Sequence, residues 1–174
     1  MKALVKEVGA ENVIGTDVSP NPIKLPCHYE SLDICDQKKF EKIVKDNKIT
    51  YIVHLAAILS ALGERFPDKA CAVNVDGFIN AINIAREHSC KIFSPSTIAV
   101  YGGDVYNKVK TPLDSVLKPN TMYGVTKIFN EQLGEYYFKK FEVDFRCIRY
   151  PGVISSEKCG FNGTIAYATG INII

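Results

Sequence analysis

The feature that most constrains this chain is its alternation of short β-branched runs with longer helical patterns. Asn12–Asp17, His28–Ile34, Tyr51–Ala56, Lys91–Ser96 and Phe145–Tyr150 read as strands. Between them, Asp36–Asn47 places Phe40, Ile43 and Val44 on one helical face. Asp68–His88 carries Ala72, Val75, Ile79, Ile82 and Ala85 in similar register, and Tyr123–Phe141 carries Ile128, Leu133, Tyr136 and Tyr137. Strand and helix in repeated alternation predict an α/β fold, a doubly wound parallel sheet with right-handed crossovers. The stretch Tyr101–Thr121 lacks apolar periodicity and reads as one long loop, of the kind that carries function.

With 174 residues, 47% of them hydrophobic, the chain can bury one core but not two. A net charge of +2 comes without a basic stripe. Lys38-Lys39 and Lys139-Lys140 fall on solvated helix faces, so no nucleic-acid partner is expected. The six cysteines are scattered without a CxxC pair, which points to a reducing compartment. Cys35, Cys90 and Cys147 lie in or beside apolar runs, as small hydrophobes do. His28, His54 and His88 lack metal-ligand spacing, and no apolar run reaches membrane-spanning length.

Met1–Val8 reads as the back half of a helix leading into the strand Asn12–Asp17. Doubly wound dinucleotide folds begin with a strand and a Gly-rich turn, and neither GxGxxG nor GxxGxxG occurs here. In the strand order 3-2-1-4-5-6 that first strand is central, so the sheet is expected to be split. As written, the chain is expected to bind a dinucleotide poorly and to be unstable or inactive.

Chemistry concentrates in a Tyr-x-x-x-Lys pattern, whose spacing on a helix puts both side chains on one face. A nearby ammonium lowers a phenol pKa of about 10 by roughly 1–3 units, toward use as a general base. Three such pairs occur: Tyr106/Lys110, Tyr123/Lys127 and Tyr136/Lys140. The first lies in the irregular loop, and the third late in a helix with Tyr136 in the packing pattern. Tyr123 opens its helix, where a side chain can face a cleft. Ser96, with Thr97 beside it, ends a strand at the edge where open α/β sheets bind ligands. Asp17 ends another strand, where a carboxylate accepts both ribose hydroxyls of adenosine and repels a 2′-phosphate, favouring NAD over NADP. Each also has a plainer reading, as a strand-closing turn or an ordinary helix start.

Taken in order, these segments resemble the extended short-chain dehydrogenase/reductase superfamily, over Asp17 to about Ala168. The resemblance implies a Rossmann-like sheet lacking its first strand and Gly-rich turn. Residues 1–150 would be a partial NAD-binding domain and 151–174 the start of a substrate-binding region. It places Asp17, the pair Asp33-Ile34, the HxAA-like segment Leu55, Ala56 and Ala57, and Asn74 beside NAD. It makes Ser96, Tyr123 and Lys127 catalytic, with Thr97 a possible substitute for Ser96 and Tyr150 along the nicotinamide. Lys127 would hold the nicotinamide ribose and depress the Tyr123 pKa.

The strings His54–Glu64, Pro95–Gly102, Thr121–Lys127 and Arg149–Ser155 are similar to the L-threonine 3-dehydrogenase branch. That branch implies oxidation of L-threonine to 2-amino-3-oxobutanoate. Ser60, Ser96, Thr97, Tyr123 and Thr164 would contact the substrate. Gly163-Thr164-Ile165-Ala166-Tyr167 departs from the branch's Gly-Thr-Thr-Asp-Tyr, removing an acidic partner for the amino acid. A homodimer through Tyr123–Phe141 and a cytoplasmic or mitochondrial-matrix location are expected. Two other readings stay open: an NAD-dependent sugar-nucleotide epimerase or dehydratase, and a non-catalytic remnant of the family.

Overall fold

The computed structural model describes residues 1–20, 24–103 and 110–153. Helix α1 (Lys2–Val8) buries none of its residues and passes through a 3₁₀ turn at Ala10–Asn12 into β1 (Ile14–Asp17). That turn takes the first residues of the expected strand Asn12–Asp17, because Asn12 N–H bonds back to Gly9 O at 3.3 Å. Strand β2 (His28–Ser31) pairs with β1 in parallel, Ile14 opposite His28 and Asp17 opposite Ser31. It stops before Ile34 because Asp33 Oδ1 draws in the Cys35 N–H at 2.9 Å, an Asx turn that competes with the ladder. Asp36 then caps α2 (Gln37–Asp46) by accepting from Lys39 N at 3.0 Å, and Phe40, Ile43 and Val44 turn into the core as expected.

Strands β3 (Tyr51–Val53), β4 (Lys91–Phe93) and β6 (Phe145–Arg146) form the second parallel ladder, with Ile52 opposite Ile92 and Ile92 opposite Phe145. Short β5 (Ser96–Thr97) and β7 (Arg149–Tyr150) make a third. The expected runs Lys91–Ser96 and Phe145–Tyr150 are thus each interrupted. Pro95, which has no N–H to give, stands at the break in the first. Among the described residues no pairing joins β1 to β3, so the sheet is split where the sequence suggested.

The helical pattern Asp68–His88 is built in three pieces. Helix α4 (Pro67–Cys71) begins with Pro at its first position, Ala72–Asp76 widens into a π-turn, and α5 (Gly77–Glu87) follows. The π-turn rotates the apolar face, so Phe78, Ala81, Ile82 and Ala85 fill the core while Ala72, Val75 and Ile79 are only half-buried. A six-residue helix, α3 (Ser60–Arg65), was not foreseen. Its Glu64 accepts from Met122 N at 2.6 Å, so its support is tertiary.

Helix α6 (Met122–Phe141) departs most from expectation. Its fully buried face is Gly124, Thr126, Lys127, Asn130, Glu131 and Gly134, small or polar; of the expected apolar positions Leu133 and Tyr137 are half-buried against the core, while Tyr136 is 48% exposed. Cys90 is buried as expected, but Cys35 and Cys147 are exposed. Residues 154–174 lie outside the described residues, and with them Thr164 and the segment around Ile165-Ala166. No helix among the described residues is long and apolar enough to cross a membrane.

Candidate active site

Helix α6 starts where Thr121 Oγ1 accepts from Gly124 N at 3.1 Å, which sets Tyr123 in its first turn. Gly124 lets the helix end close in: a methyl group there would stand 2.7 Å from Ala99 O and 2.8 Å from Pro119 Cβ. Lys127 follows one turn later, 2% exposed, with its Nζ 5.6 Å from the centre of the Tyr123 ring. The shared face anticipated from the spacing is therefore real. The ammonium donates to Pro95 O at 2.8 Å, tying the helix to the β4–β5 connection.

The electrostatics differ from expectation. Burial lowers the Lys127 pKa to about 8. Burial also raises the Tyr123 phenol above its ordinary value, so the expected depression by Lys127 is not found. Two facts account for this: the phenol is partly desolvated, and the ammonium is turned toward the Pro95 carbonyl. The Tyr136/Lys140 pair makes a closer contact, Nζ to Oη at 2.7 Å, but in solvent at the far end of the helix. Tyr106 lies outside the described residues.

Ser96 is buried, and its hydroxyl donates to Glu131 Oε1. It is thereby committed to α6 as a tether. Thr97 is half-buried, its Oγ1 accepts from Ala99 N at 3.1 Å, and among the described residues no group accepts its hydroxyl proton. Tyr150 lies directly across the β5–β7 ladder from Thr97.

Three residues that hold this arrangement were given no individual role from sequence: Glu131, Arg149 and Tyr101. Glu131, 8% exposed, receives Arg149 through three bonds of 2.7–3.2 Å. Arg149 Nη1 also donates to Tyr101 Oη and to Leu113 O, both at 2.9 Å. These bonds to Glu131 and Tyr101 push the guanidinium pKa upward. The available signal was spacing, since Glu131 follows Lys127 by four residues and Tyr123 by eight, one continuous helical face.

Most of the expected dinucleotide-side residues lie at or just past the C-terminal ends of strands β1, β2 and β3. Asp17 is exposed, with Oδ1 accepting from Ser19 N at 2.9 Å. Asp33 is exposed as well, and Ile34 packs so closely on Gly77 that a methyl group there would come within 2.4 Å of Ile34 Cδ1. Leu55, at 66% exposure, and Ala56 present an open apolar edge, with Ala57 half-buried. Buried Asn74 binds Ile58 at both backbone groups, at 2.7 and 3.0 Å, and donates to Thr126 Oγ1 at 3.1 Å. One side chain thus fixes the segment after β3 to α6. Ser60 opens α3, one turn before Gly63, which faces the start of α6.

Two exposed carboxylates and an exposed apolar edge after β3 suit the ribose and adenine of a dinucleotide, and a buried lysine near a tyrosine ring suits the nicotinamide ribose. The sequence contains no Gly-rich turn for the pyrophosphate.

Comparison with known proteins agrees with this geometry. A mitochondrial L-threonine 3-dehydrogenase of Bos taurus is 40% identical over 170 residues, covering 97% of this chain and 45% of that protein. Among solved structures, a monomeric L-threonine 3-dehydrogenase from a metagenome superposes with a TM-score of 0.93 at 41% identity, covering 98% of this chain and 55% of the other. The L-threonine dehydrogenase of Clostridium difficile gives 0.92 at 42% identity, covering 98% and 54%. The chain spans about half the length of these relatives. The NAD dependent epimerase/dehydratase family model matches residues 2–169. A parallel sheet in separate ladders, a catalytic-type Tyr/Lys helix and this near-complete match lead to one conclusion: the chain belongs to the NAD dependent epimerase/dehydratase family.

Proposed function

We propose that this chain carries the catalytic half of an L-threonine 3-dehydrogenase, oxidising the β-hydroxyl of L-threonine to give 2-amino-3-oxobutanoate. The observation that carries the reading is the Tyr123–Lys127 face at the start of α6, anchored to Pro95 O, in a chain 40–42% identical to L-threonine dehydrogenases. NAD, when bound, supplies the hydride acceptor. Asp17, Asp33, Ile34, Leu55, Ala56 and Ala57 would hold its adenosine end; Asn74, Lys127 and Tyr150 would flank its nicotinamide end.

Tyr123 Oη takes the proton of the substrate hydroxyl. Because burial raises its pKa, the phenolate fraction at neutral pH is small and grows about tenfold per pH unit. The Thr97 hydroxyl orients the substrate oxygen, since Ser96 is bonded to Glu131. Ser60 and Thr164 contribute to the amino-acid end. Residues 151–174 begin the substrate-binding region.

The exposed side chains Leu62 and Phe66, with Val125 and Phe129 on α6, form the face through which a second copy docks. The free cysteines among the described residues fit the cytoplasm or the mitochondrial matrix.

The test is NADH formation from L-threonine by the protein expressed from its full reading frame. Tyr123→Phe lowers kcat by about 10²–10⁴-fold, the usual contribution of a positioned acid–base group. Undiminished turnover in that variant refutes the assignment.

A further inference from the structure

Three buried polar atoms have no hydrogen-bond partner among the described residues: His54 Nε2, Ser94 Oγ and Asn130 Oδ1. Their residues are 4%, 2% and 3% exposed. Register places the first two together. Ile52 pairs with Ile92 and Val53 with Phe93 in the parallel ladder, and His54 N continues it by donating to Phe93 O at 2.8 Å. His54 and Ser94 therefore extend from neighbouring strands on the face that carries buried Ile52 and Ile92, with strands about 4.8 Å apart.

Helices α5 and α6 cover that same face. The His54 ring meets Phe78 of α5 edge-on at 5.5 Å, and Phe78 meets Phe145 at 6.0 Å. Phe145 in turn lies against Gly134 of α6, where a methyl group would be 2.2 Å from the ring. Lys127 reaches Pro95 O, next to Ser94. Asn130, between Lys127 and Gly134 on the buried face of α6, therefore faces the sheet between Pro95 and Phe145, the side from which Ser94 extends.

An unpaired acceptor on Asn130, a hydroxyl on Ser94 and an imidazole nitrogen on His54 supply both donors and acceptors to the layer between the sheet and the two helices. Buried groups of this kind are ordinarily satisfied by internal water making two to four bonds. Lys127 carries three N–H donors and uses one on Pro95. We propose that His54, Ser94 and Asn130 hold one internal water molecule beneath α6, and that this water also accepts an N–H from Lys127. The three would be positioning residues, fixing the Lys127 ammonium from below as Pro95 O fixes it from the side. The nearness of Lys127 to His54 has independent support. Burial first, and then the Lys127 charge, lower the His54 pKa to about 4.

The water site stands on geometry alone, whereas its bearing on catalysis rests on the dehydrogenase reading above. A crystal structure at a resolution that places waters is expected to show one within hydrogen-bond distance of at least two of the three atoms and of Lys127 Nζ. Empty density, or side chains bonded directly to one another, overturns the proposal.

In solution, Ser94→Ala and Asn130→Leu each lower the melting temperature, and the double variant lowers it by less than the sum, because both atoms serve one water. Unchanged or raised melting temperatures for the single variants, as expected of orphan groups replaced by apolar ones, count against it. His54→Gln, which keeps a nitrogen near the Nε2 position, retains kcat, whereas His54→Leu loses it with KM little changed. Equal loss in both variants also overturns the positioning role. Should Tyr123→Phe remain active while the water is present, the reaction assignment fails and the water site survives.

Discussion

Replacing Glu131 by Leu removes the acceptor of three Arg149 hydrogen bonds and of the Ser96 hydroxyl. The two side chains of the ion pair are 18% and 9% exposed, so the stranded guanidinium would be left largely out of water. Breaking a buried pair by removing one partner costs about 3–5 kcal/mol, because the remaining charge is uncompensated. Arg149 keeps its bonds to Tyr101 Oη and Leu113 O and some solvent access, which places the expected loss near the lower bound, about 3 kcal/mol. In a urea melt with a slope of about 2 kcal/mol/M, that loss moves the midpoint down by about 1.5 M.

The control is the double replacement of Glu131 and Arg149 by Leu and Met. Removing both charges leaves none buried, so this variant recovers much of the loss despite forfeiting the Tyr101 and Leu113 contacts. A single-variant cost under about 1 kcal/mol, typical of a surface pair, refutes the reasoning. So does a double variant whose cost equals the sum of the two singles.

His54 gives a pH signature. Its folded pKa of about 4 lies below the ordinary 6.5, so the unfolded chain binds more protons between those values. Stability therefore rises with pH across that window and is lost as pH falls through it, by about 3 kcal/mol in total. In urea melts at a series of pH values, His54→Gln flattens this slope, and an unchanged slope refutes the assignment. Asn74→Leu strands both backbone groups of Ile58 and removes the bond that Thr126 Oγ1 accepts, at an expected cost of about 2–4 kcal/mol by chemical denaturation, while the Thr126 hydroxyl keeps its bond to Tyr123 O. A loss under about 1 kcal/mol would show that the segment after β3 does not depend on Asn74. Gly134→Ala puts a methyl group 2.2 Å from the Phe145 ring. It should cost about 1–3 kcal/mol, read as a lowered melting temperature, and an unchanged one would mean the ring moves freely.

The shared face of Tyr123 and Lys127 and the strand–helix alternation were legible because both rest on local periodicity. A helix of any origin brings residues four apart onto one face, and α6 does so from Met122 onward. The split between β1 and β3 was likewise readable, since it follows from strand order and the absence of a Gly-rich turn in the sequence. The π-turn at Ala72–Asp76 was not, because inserting one residue in a helical turn leaves no mark on composition yet rotates the face that follows.

Which hydroxyl is free was equally out of reach. Ser96 and Thr97 are adjacent in the chain and chemically alike; only the approach of Glu131 from α6, 35 residues away, turns Ser96 into a tether. The Tyr123 pKa followed the same rule, because spacing implies a nearby cation but burial depends on everything packed around the phenol. The sequence by itself determined which elements form and which face Tyr123 and Lys127 share, through interactions within a turn or two. Only the tertiary structure decided which polar groups are buried, what satisfies them and how their charges shift, because desolvation is set by contacts between segments far apart in the chain.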